Sequence, residues 1–162
     1  MKRTSIVMVA LAAGCASTVP VPDNLKPAGN ESLALIVPAK GVQIYECREG
    51  KWAFVAPEAA LFDRAGKQIG SHYAGPHWES ADGSKIVGTV RERVDAPGVE
   101  AIPWLLLAAK SVGPAGSFSR VTSVQRVRTV GGVAPATGCA QATAGTTARV
   151  SYTADYYFFT AR

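Results

Sequence analysis

Apolar and polar residues alternate along several short segments of the chain, and residues 149–158 are the clearest case. A period of two residues places alternate side chains on opposite faces of a β-strand. The segment therefore predicts a strand that carries on one face Val150, Tyr152, Ala154, Tyr156 and Phe158. Residues 42–47 alternate in the same way, and there Gln43, Tyr45 and Cys47 share a face.

Turn signals separate the strand candidates. Glu49-Gly50 joins residues 42–47 to the next apolar segment at the spacing of a β-hairpin. Two more turns, residues 63–67 and 82–85, each lead into a short apolar segment. Gly75-Pro76 predicts a further turn at the end of a strand. The spacing of these signals indicates short strands linked by tight connections.

Residues 118–130 do not follow the strand period. Phe118 is followed by valine at every third position, up to Val130. The β-branched residues favour a strand, and a bulge or a strong twist would reconcile the spacing with it. Elsewhere in the chain, only residues 57–62 and 99–102 are expected to form short helical turns.

These patterns predict an all-β fold, a single antiparallel β-sandwich or barrel-like domain over residues 31–162 with few short helical turns. Sixteen glycines and ten prolines supply the turns. Strands do not alternate with helices, and the sequence contains neither a Gly-x-Gly-x-x-Gly motif nor a Walker loop. Residues 15–30, which contain three prolines, predict an extended tether in front of the domain.

The N-terminus has the pattern of an export signal. Lys2-Arg3 precedes the apolar run of residues 6–13. Residues 12–15, Ala-Ala-Gly-Cys, resemble the lipobox of bacterial lipoproteins. The resemblance implies that residues 1–14 are a signal peptide. It also implies that Cys15 is lipidated and becomes the new N-terminus, with three acyl chains in total.

The lipobox resemblance also implies a location. Ala16 stands where an acidic residue would retain a lipoprotein in the inner membrane. We therefore expect a lipid anchor in the outer membrane, with the domain facing the periplasm or the cell surface. A plain secretory signal cleaved near Ala16 is the alternative, and it would leave a soluble secreted or periplasmic protein. The apolar runs of the sequence are shorter than the ~20 residues that a spanning helix needs.

The size and charge of the mature chain fit one domain with its own core. Removal of residues 1–14 from 162 leaves 148 residues. The formal charge falls from +5 to +3, because two basic residues leave with the signal. Lysine and arginine form no block in the sequence, so nucleic acid is not an expected partner.

Two cysteines, Cys47 and Cys139, remain in the exported domain. An even pair in an oxidising compartment predicts a disulfide bond. The bond would close a loop of 139 − 47 + 1 = 93 residues. Metal binding by the two thiols is less favoured, because neither a Cys-x-x-Cys spacing nor a nearby histidine accompanies them.

Six segments carry a resemblance that covers nearly all of residues 33–160. They are VQIYECREGKW (42–52), PEAALFDRAGKQIGSHYAG (57–75), PHWESADGSKIVG (76–88), IPWLLL (102–107), VQRVRTVGGVAP (124–135) and YTADYYF (152–158). Together they resemble domain of unknown function family 3455, which is found in exported bacterial and fungal proteins. The resemblance implies export, and it supplies no catalytic residue.

Both histidines of the chain lie in the segment 72–82, together with two acidic residues. His72, His77 and one of the carboxylates of Glu79 and Asp82 could ligate a metal or serve a hydrolase. His-x4-His is not a standard zinc spacing, so the histidines are weak candidates and no cofactor is predicted. The alternative is structural: a strand end and a turn, followed by an aromatic residue in the core.

A ligand-binding interpretation uses a wider set of side chains. Aromatic faces stack on sugars and other flat ligands, and polar groups fix their orientation. The candidates are His72, Tyr73, His77, Trp78, Glu79, Asp82, Trp104, Arg126 and Tyr156. The alternative is that the aromatic residues form the core. For Arg126 we favour a salt bridge with Asp155 or Glu46 over a bidentate grip on an anionic ligand.

The leading prediction is a non-enzymatic module at the cell envelope that binds a small molecule, a glycan or another partner. The alternatives are a metal-assisted or carboxylate and histidine hydrolase centred on residues 72–82, and a structural envelope protein. The hydrolase needs both histidines in one cleft with a carboxylate in reach. The binding module needs Trp78, Trp104 or a tyrosine of the last strand in a concavity. The sequence does not indicate an oligomeric state.

Overall fold

The computed structural model describes residues 19–162, and they form a closed barrel of eight antiparallel strands. The strands are β1 (Glu31–Arg48), β2 (Lys51–Phe62), β3 (Gln68–Tyr73), β4 (His77–Ser80), β5 (Lys85–Val94), β6 (Trp104–Ser111), β7 (Val121–Gly131) and β8 (Thr147–Ala161). Each strand pairs with the next in sequence, and β8 pairs with β1. The predicted all-β domain is confirmed, as a barrel. The predicted signal peptide and Cys15 lie outside the described residues.

Helical structure in the described chain consists of two short 3₁₀ turns, Asp23–Leu25 and Gln141–Thr143. The helical turn predicted at residues 57–62 is wrong, because this segment belongs to β2 and its alternate side chains are buried. Residues 99–102 form a turn and a single β-bridge instead of a helix. No helix within residues 19–162 is long and apolar enough to cross a membrane.

The barrel is closed by the pairing of its first and last strands. Val37 of β1 pairs with Tyr156 of β8, and Ala39 pairs with Ala154. All four side chains are buried in the interior. The alternation predicted for residues 149–158 is confirmed, because its apolar set lies on the inner face of β8.

β7 contains the irregularity that the three-residue spacing predicted. Its register against β8 shifts between Val121 and Ser123, and again between Val127 and Val130. At the second shift Arg128 has a positive φ of 50°. Extra residues in one strand locally change which face a side chain occupies, which explains why the pattern fits neither period.

Two positions show what the backbone requires of the sequence. Glu49 and Gly50 form the predicted hairpin turn, with φ of 50° and 74°, as a two-residue turn between twisted strands needs. Glycine is needed at position 88 of β5 for a steric reason. A Cβ atom at Gly88 would lie 2.8 Å from Cζ3 of Trp78, so glycine leaves room for the indole inside the barrel.

The loop between β6 and β7 closes one end of the barrel. Phe118 of this loop is buried and meets Phe158 edge-to-face, with ring centroids 4.9 Å apart. Asp82, in the β4–β5 turn, accepts hydrogen bonds from the backbone and hydroxyl groups of both Ser117 and Ser84. Hydrogen bonds from Ser117 and Ser84 hold the pKa of Asp82 well below its usual range. Asp82 therefore anchors the closed end.

The strap, which we define as residues 19–25, packs on the outside of the barrel. Leu25 is completely buried there against Trp104 and Tyr157. The side-chain amide of Gln125 donates a hydrogen bond to the carbonyl of Leu25 at 2.5 Å. This part of the predicted tether is thus in contact with the domain, and Trp104 lies beneath it on the outer face of β6.

The predicted disulfide bond between Cys47 and Cys139 is present. It links the end of β1 to the loop between β7 and β8. In the same loop the carbonyl of Thr137 accepts a hydrogen bond of 2.9 Å from the indole of Trp52. The covalent bond and the hydrogen bond together hold this loop against the β1–β2 hairpin.

Candidate ligand-binding cavity

The interior of the barrel is open at the end opposite Phe118. The β1–β2, β3–β4, β5–β6 and β7–β8 connections surround the opening, because successive strands run in opposite directions. The cavity beneath it has a volume of about 560 Å³. Its wall is mainly apolar and aromatic, and includes Tyr45, Phe54, Val90, Leu105 and Tyr156. An eight-stranded barrel can hold one small ligand where side chains do not fill it.

His72 lies in the cavity wall and is buried. Its Nδ1–H donates to the backbone carbonyl of His77 at 2.7 Å, since a carbonyl oxygen only accepts. The imidazole stacks on Trp78 with ring centroids 4.4 Å apart and meets Tyr156 edge-on. Burial lowers the pKa of His72 to about 3, although the hydrogen bond to His77 opposes the shift. The imidazole is therefore neutral near pH 7.

Two arginines, Arg126 of β7 and Arg93 of β5, also line the cavity. Nε and Nη2 of Arg126 donate to the carbonyl of Pro103 at 3.0 and 2.9 Å. These two bonds fix the plane of the guanidinium group. The wall of the cavity contains no aspartate or glutamate among the described residues. Arg126 is partly buried in this mainly apolar wall, whereas Arg93 is exposed to solvent.

The salt bridge predicted for Arg126 is wrong. Asp155 lies 3.8 Å from Arg128, and Glu46 pairs with Arg48 at 2.5 Å. The reason is that successive side chains of a strand point to opposite faces of the barrel wall. Arg126 pairs with Tyr156, whose side chain is inside the barrel, whereas the two carboxylates are on the outer face.

The cavity wall also contains polar groups without partners. Gln43 Nε2 and Trp78 Nε1 are buried and have no hydrogen-bond acceptor in the described chain. The hydroxyl groups of Tyr152 and Tyr156 lie 3.2 Å apart, and the hydroxyl of Tyr45 donates to the carbonyl of Gly132 at 2.6 Å. Buried donors in proteins are normally paired, so unpaired donors beside a cavity mark a place for a ligand or water.

Three of the predicted site residues form a separate cluster on the outer surface of the barrel. The hydroxyl of Tyr73 donates to the carboxylate of Glu79, and Lys85 lies 3.6 Å from the same carboxylate. The ring of His77 stacks on Tyr73 with centroids 5.4 Å apart. Together with Asp82 at the closed end and Trp104 under the strap, these residues lie outside the cavity.

The two histidines face opposite sides of the barrel wall. His72 pairs with Trp78 across β3 and β4, and both point inward. The neighbouring pair, Tyr73 and His77, points outward. The convergent geometry that a histidine-centred metal site or hydrolase needs is therefore not formed. Residues 19–162 contain no group of three or more histidine, cysteine or acidic residues placed to hold a metal ion.

Comparison with known families accounts for the six sequence segments that carry the resemblance. The family described as "Protein of unknown function (DUF3455)" matches residues 27–160. The chain belongs to this family. No curated protein and no solved structure matches the chain. The family match spans nearly all of the barrel, so the cavity lies within the DUF3455 domain.

Four of the residues predicted from the sequence lie in the wall of the DUF3455 cavity, and other wall residues were not predicted. His72, Trp78, Arg126 and Tyr156 were predicted and are brought together in the wall. Arg93 was missed because the register of β5 shifts between residues 90 and 92, which breaks the alternation. The inward faces of β1 and β2 were also missed, although the alternation of residues 42–47 was the signal that places Gln43 and Tyr45 on one face.

Proposed function

We propose that this DUF3455 barrel is a non-enzymatic binding module for a small molecule. The observation that carries the proposal is the open cavity of about 560 Å³ at one end of the barrel. Small-molecule sites in proteins are typically concave, mostly apolar and about 300–1,000 Å³ in volume. The limited volume and the mainly apolar wall favour a compact molecule over an extended glycan chain.

The chemistry of the wall favours binding over catalysis. His72 is neutral, and its Nδ1–H is already engaged by a backbone carbonyl. A nucleophile such as serine or cysteine is absent from the described wall, as is a carboxylate that could orient the histidine. Nucleophilic catalysis needs a nucleophile and a base within hydrogen-bond reach of each other.

The proposal includes the location expected from the signal sequence, with the barrel held at the outer membrane by a lipid on Cys15. A secreted or periplasmic barrel without the lipid is the alternative. Cys15 is four residues before the start of the strap at Val19. A fully extended chain spans at most about 3.6 Å per residue. The anchor would therefore keep the strap within roughly 15 Å of the lipid attachment point.

A fluorescence titration with the uncharged probe N-phenylnaphthylamine tests the proposal. The probe is apolar and becomes bright when it leaves water. We expect saturable binding to the folded barrel, and a loss of affinity of at least about tenfold in Leu105→Trp, which puts bulk into the cavity. Val130→Trp is the matched control, because Val130 is exposed on the outside of β7.

Thermal melting of both variants shows whether each barrel is folded. Equal binding by Leu105→Trp and the unchanged barrel would place the probe elsewhere on the protein. The absence of saturable binding to the unchanged barrel would contradict the proposal directly.

A further inference from the structure

We infer that the occupant of the cavity is a small amphipathic anion, an apolar body that carries one carboxylate-like oxyanion, and that Arg126 binds the oxyanion. The inference rests on the proposed binding function and names the class of ligand. It follows from the position of Arg126, from the absence of a compensating carboxylate in the described wall and from the unpaired hydrogen-bond donors around the cavity.

The position of Arg126 is the first argument. The guanidinium group has five N–H donors in a planar fork. The carbonyl of Pro103 accepts two of them, through Nε and Nη2. The hydroxyl of Tyr156 is a further hydrogen-bond partner of Arg126. The N–H groups that remain are left for a ligand or water, on a group whose orientation is already fixed. Arginine held in this way is well suited to a planar oxyanion, because the fork matches the geometry of a carboxylate.

Charge is the second argument. No carboxylate in residues 19–162 lies within 4.0 Å of the guanidinium of Arg126 or of Arg93. Arg93 is exposed to solvent, but Arg126 is partly buried. Removing a cation from water without a partner is costly. An anionic ligand would supply the missing negative charge, so the unpaired guanidinium would favour its binding.

The charge of Arg126 acts on the hydroxyl groups around the cavity. Burial raises the pKa of Tyr45, Tyr152 and Tyr156, and the positive charge of Arg126 opposes the rise at all three. The same charge adds to the effect of burial in lowering the pKa of His72. The charge of Arg126 thus influences the titratable groups of these four residues. An anion inside the barrel would experience a favourable electrostatic field.

The balance of donors and acceptors is the third argument. Gln43 Nε2 and Trp78 Nε1 are buried donors without an acceptor. The N–H groups of Arg126 that Pro103 and Tyr156 leave unpaired add to these donors. An oxyanion is a pure acceptor with several lone pairs, so it matches such a set. The apolar body of the ligand would contact the remaining wall, including Phe54 and Leu105.

Two fluorescent probes that differ by one sulfonate group test the inference. They are N-phenylnaphthylamine, which is uncharged, and anilinonaphthalene sulfonate, which is the same ring system with an anionic group. For the unchanged barrel we expect tighter binding of the sulfonate. For Arg126→Gln we expect the affinity for the sulfonate to fall by at least about tenfold, as loss of a charge-assisted hydrogen bond does. The affinity for the uncharged probe should stay within about twofold.

Arg128→Gln is the matched control. It removes the same charge from the same strand, but Arg128 is on the outer face beside Asp155. Its affinity for the sulfonate should remain that of the unchanged barrel. Competition by decanoate and by decanol repeats the comparison with ligands of simpler shape. Decanoate should displace the probe better than decanol, and Arg126→Gln should remove the difference.

The outcomes separate the two proposals. If neither probe binds the unchanged barrel, the proposed function fails. If both bind and Arg126→Gln affects them equally, or affects neither, the binding function stands and the anionic ligand is overturned.

If Arg126→Gln does not fold, Arg93→Gln and Arg126→Lys take its place. The first removes the second cation of the cavity, and the second keeps the charge but loses the fork. Arg126→Lys should weaken the sulfonate selectively, and Arg93→Gln should weaken it less because Arg93 is exposed. Unchanged affinity in Arg126→Lys would reject the inference.

Discussion

The role of a side chain in this barrel depends on which face of its strand it occupies more than on its chemistry. His72 and Tyr73 are neighbours in β3, yet the first is buried in the cavity wall and the second belongs to a cluster on the outer surface. The same parity separates Arg126 from Asp155 across β7 and β8. Strand pleating alone produces these differences, because successive side chains point to opposite faces.

The neutral state of His72 predicts a specific pH dependence of stability. An unfolded histidine has a pKa near 6.5, whereas His72 in the folded barrel has a pKa of about 3. As the pH falls through 6.5, the unfolded state takes up a proton that the folded state does not. From pH 7 to pH 5 this lowers the free energy of unfolding by about 2 kcal/mol. The contribution is fully present above pH 6.5 and is lost as the pH falls towards 3.

Urea denaturation of the unchanged barrel and of His72→Gln at pH 7 and pH 5 measures this effect. The variant should lose about 2 kcal/mol less than the unchanged barrel over this interval. His77→Gln is the control, since His77 is partly exposed on the outer surface, and it should keep the original dependence. Equal losses in the unchanged barrel and in His72→Gln would show that His72 takes up its proton in the folded state.

At the scale of elements, the strap and the β6–β7 loop complete what the strands leave open. The loop closes one end of the barrel through Phe118, and Asp82 holds the loop in place. The strap covers Trp104 and Tyr157 on the outer face of the wall. Both segments bury apolar surface that eight strands alone would expose. The opposite end has no such cover in the described structure, which leaves the cavity open.

Leu25→Ala tests how much the strap stabilises the barrel. Leu25 is fully buried, so its truncation removes apolar contacts and leaves a space against Trp104. Changes of this kind cost about 2–5 kcal/mol. We expect the lower end of this range, because a terminal segment can detach without unfolding the barrel. Chemical denaturation measures the loss.

Val99→Ala is the control for this experiment, because Val99 is 96% exposed. Its free energy of unfolding should stay within about 0.5 kcal/mol of the unchanged barrel. A similarly small change for Leu25→Ala would mean that the strap does not dock stably in solution.

At the scale of the whole molecule, closure and the disulfide bond hold together strands that are distant in sequence. β1 and β8 are joined by 15 residue pairs, although residues 49–146 lie between the two strands along the chain. The disulfide bond lies at the open end, where it ties the β7–β8 loop to the end of β1. A closed barrel leaves no strand edge exposed for pairing with another chain.

Removal of the disulfide bond should lower the stability of the barrel. The bond joins residues separated by 92 positions. The chain-entropy model assigns about 4–5 kcal/mol to a loop of this size. Urea denaturation of a Cys47→Ala and Cys139→Ala double variant measures the loss, with the unchanged barrel under reducing conditions as a second route to the same state. A loss below about 1 kcal/mol would show that the unfolded chain is already constrained in this region.

The sequence alone determined the features that depend on short stretches of chain. The all-β class, the hairpin at Glu49-Gly50, the inner face of residues 149–158 and the irregular β7 were all predictable, because each follows from a local period or a turn signal. The pairing of Cys47 with Cys139 was predictable because the lipobox resemblance sets Cys15 aside, and the two cysteines that remain allow one connection. Four residues of the cavity wall were also proposed as ligand-binding residues from their chemistry. The same set of candidates contained five residues that lie outside the cavity.

The barrel and its cavity depend on contacts between strands that are distant in sequence. Closure depends on the register of seven successive pairings, and sequence periodicity does not report register between distant strands. The shift in β5 that brings Arg93 to the cavity and the burial of Leu25 of the strap against Trp104 also depend on contacts between distant segments. Arg126 is the clearest example of a residue whose role depends on contacts between distant strands. Its charge was visible in the sequence, but its isolation from every nearby carboxylate depends on which strands meet around it.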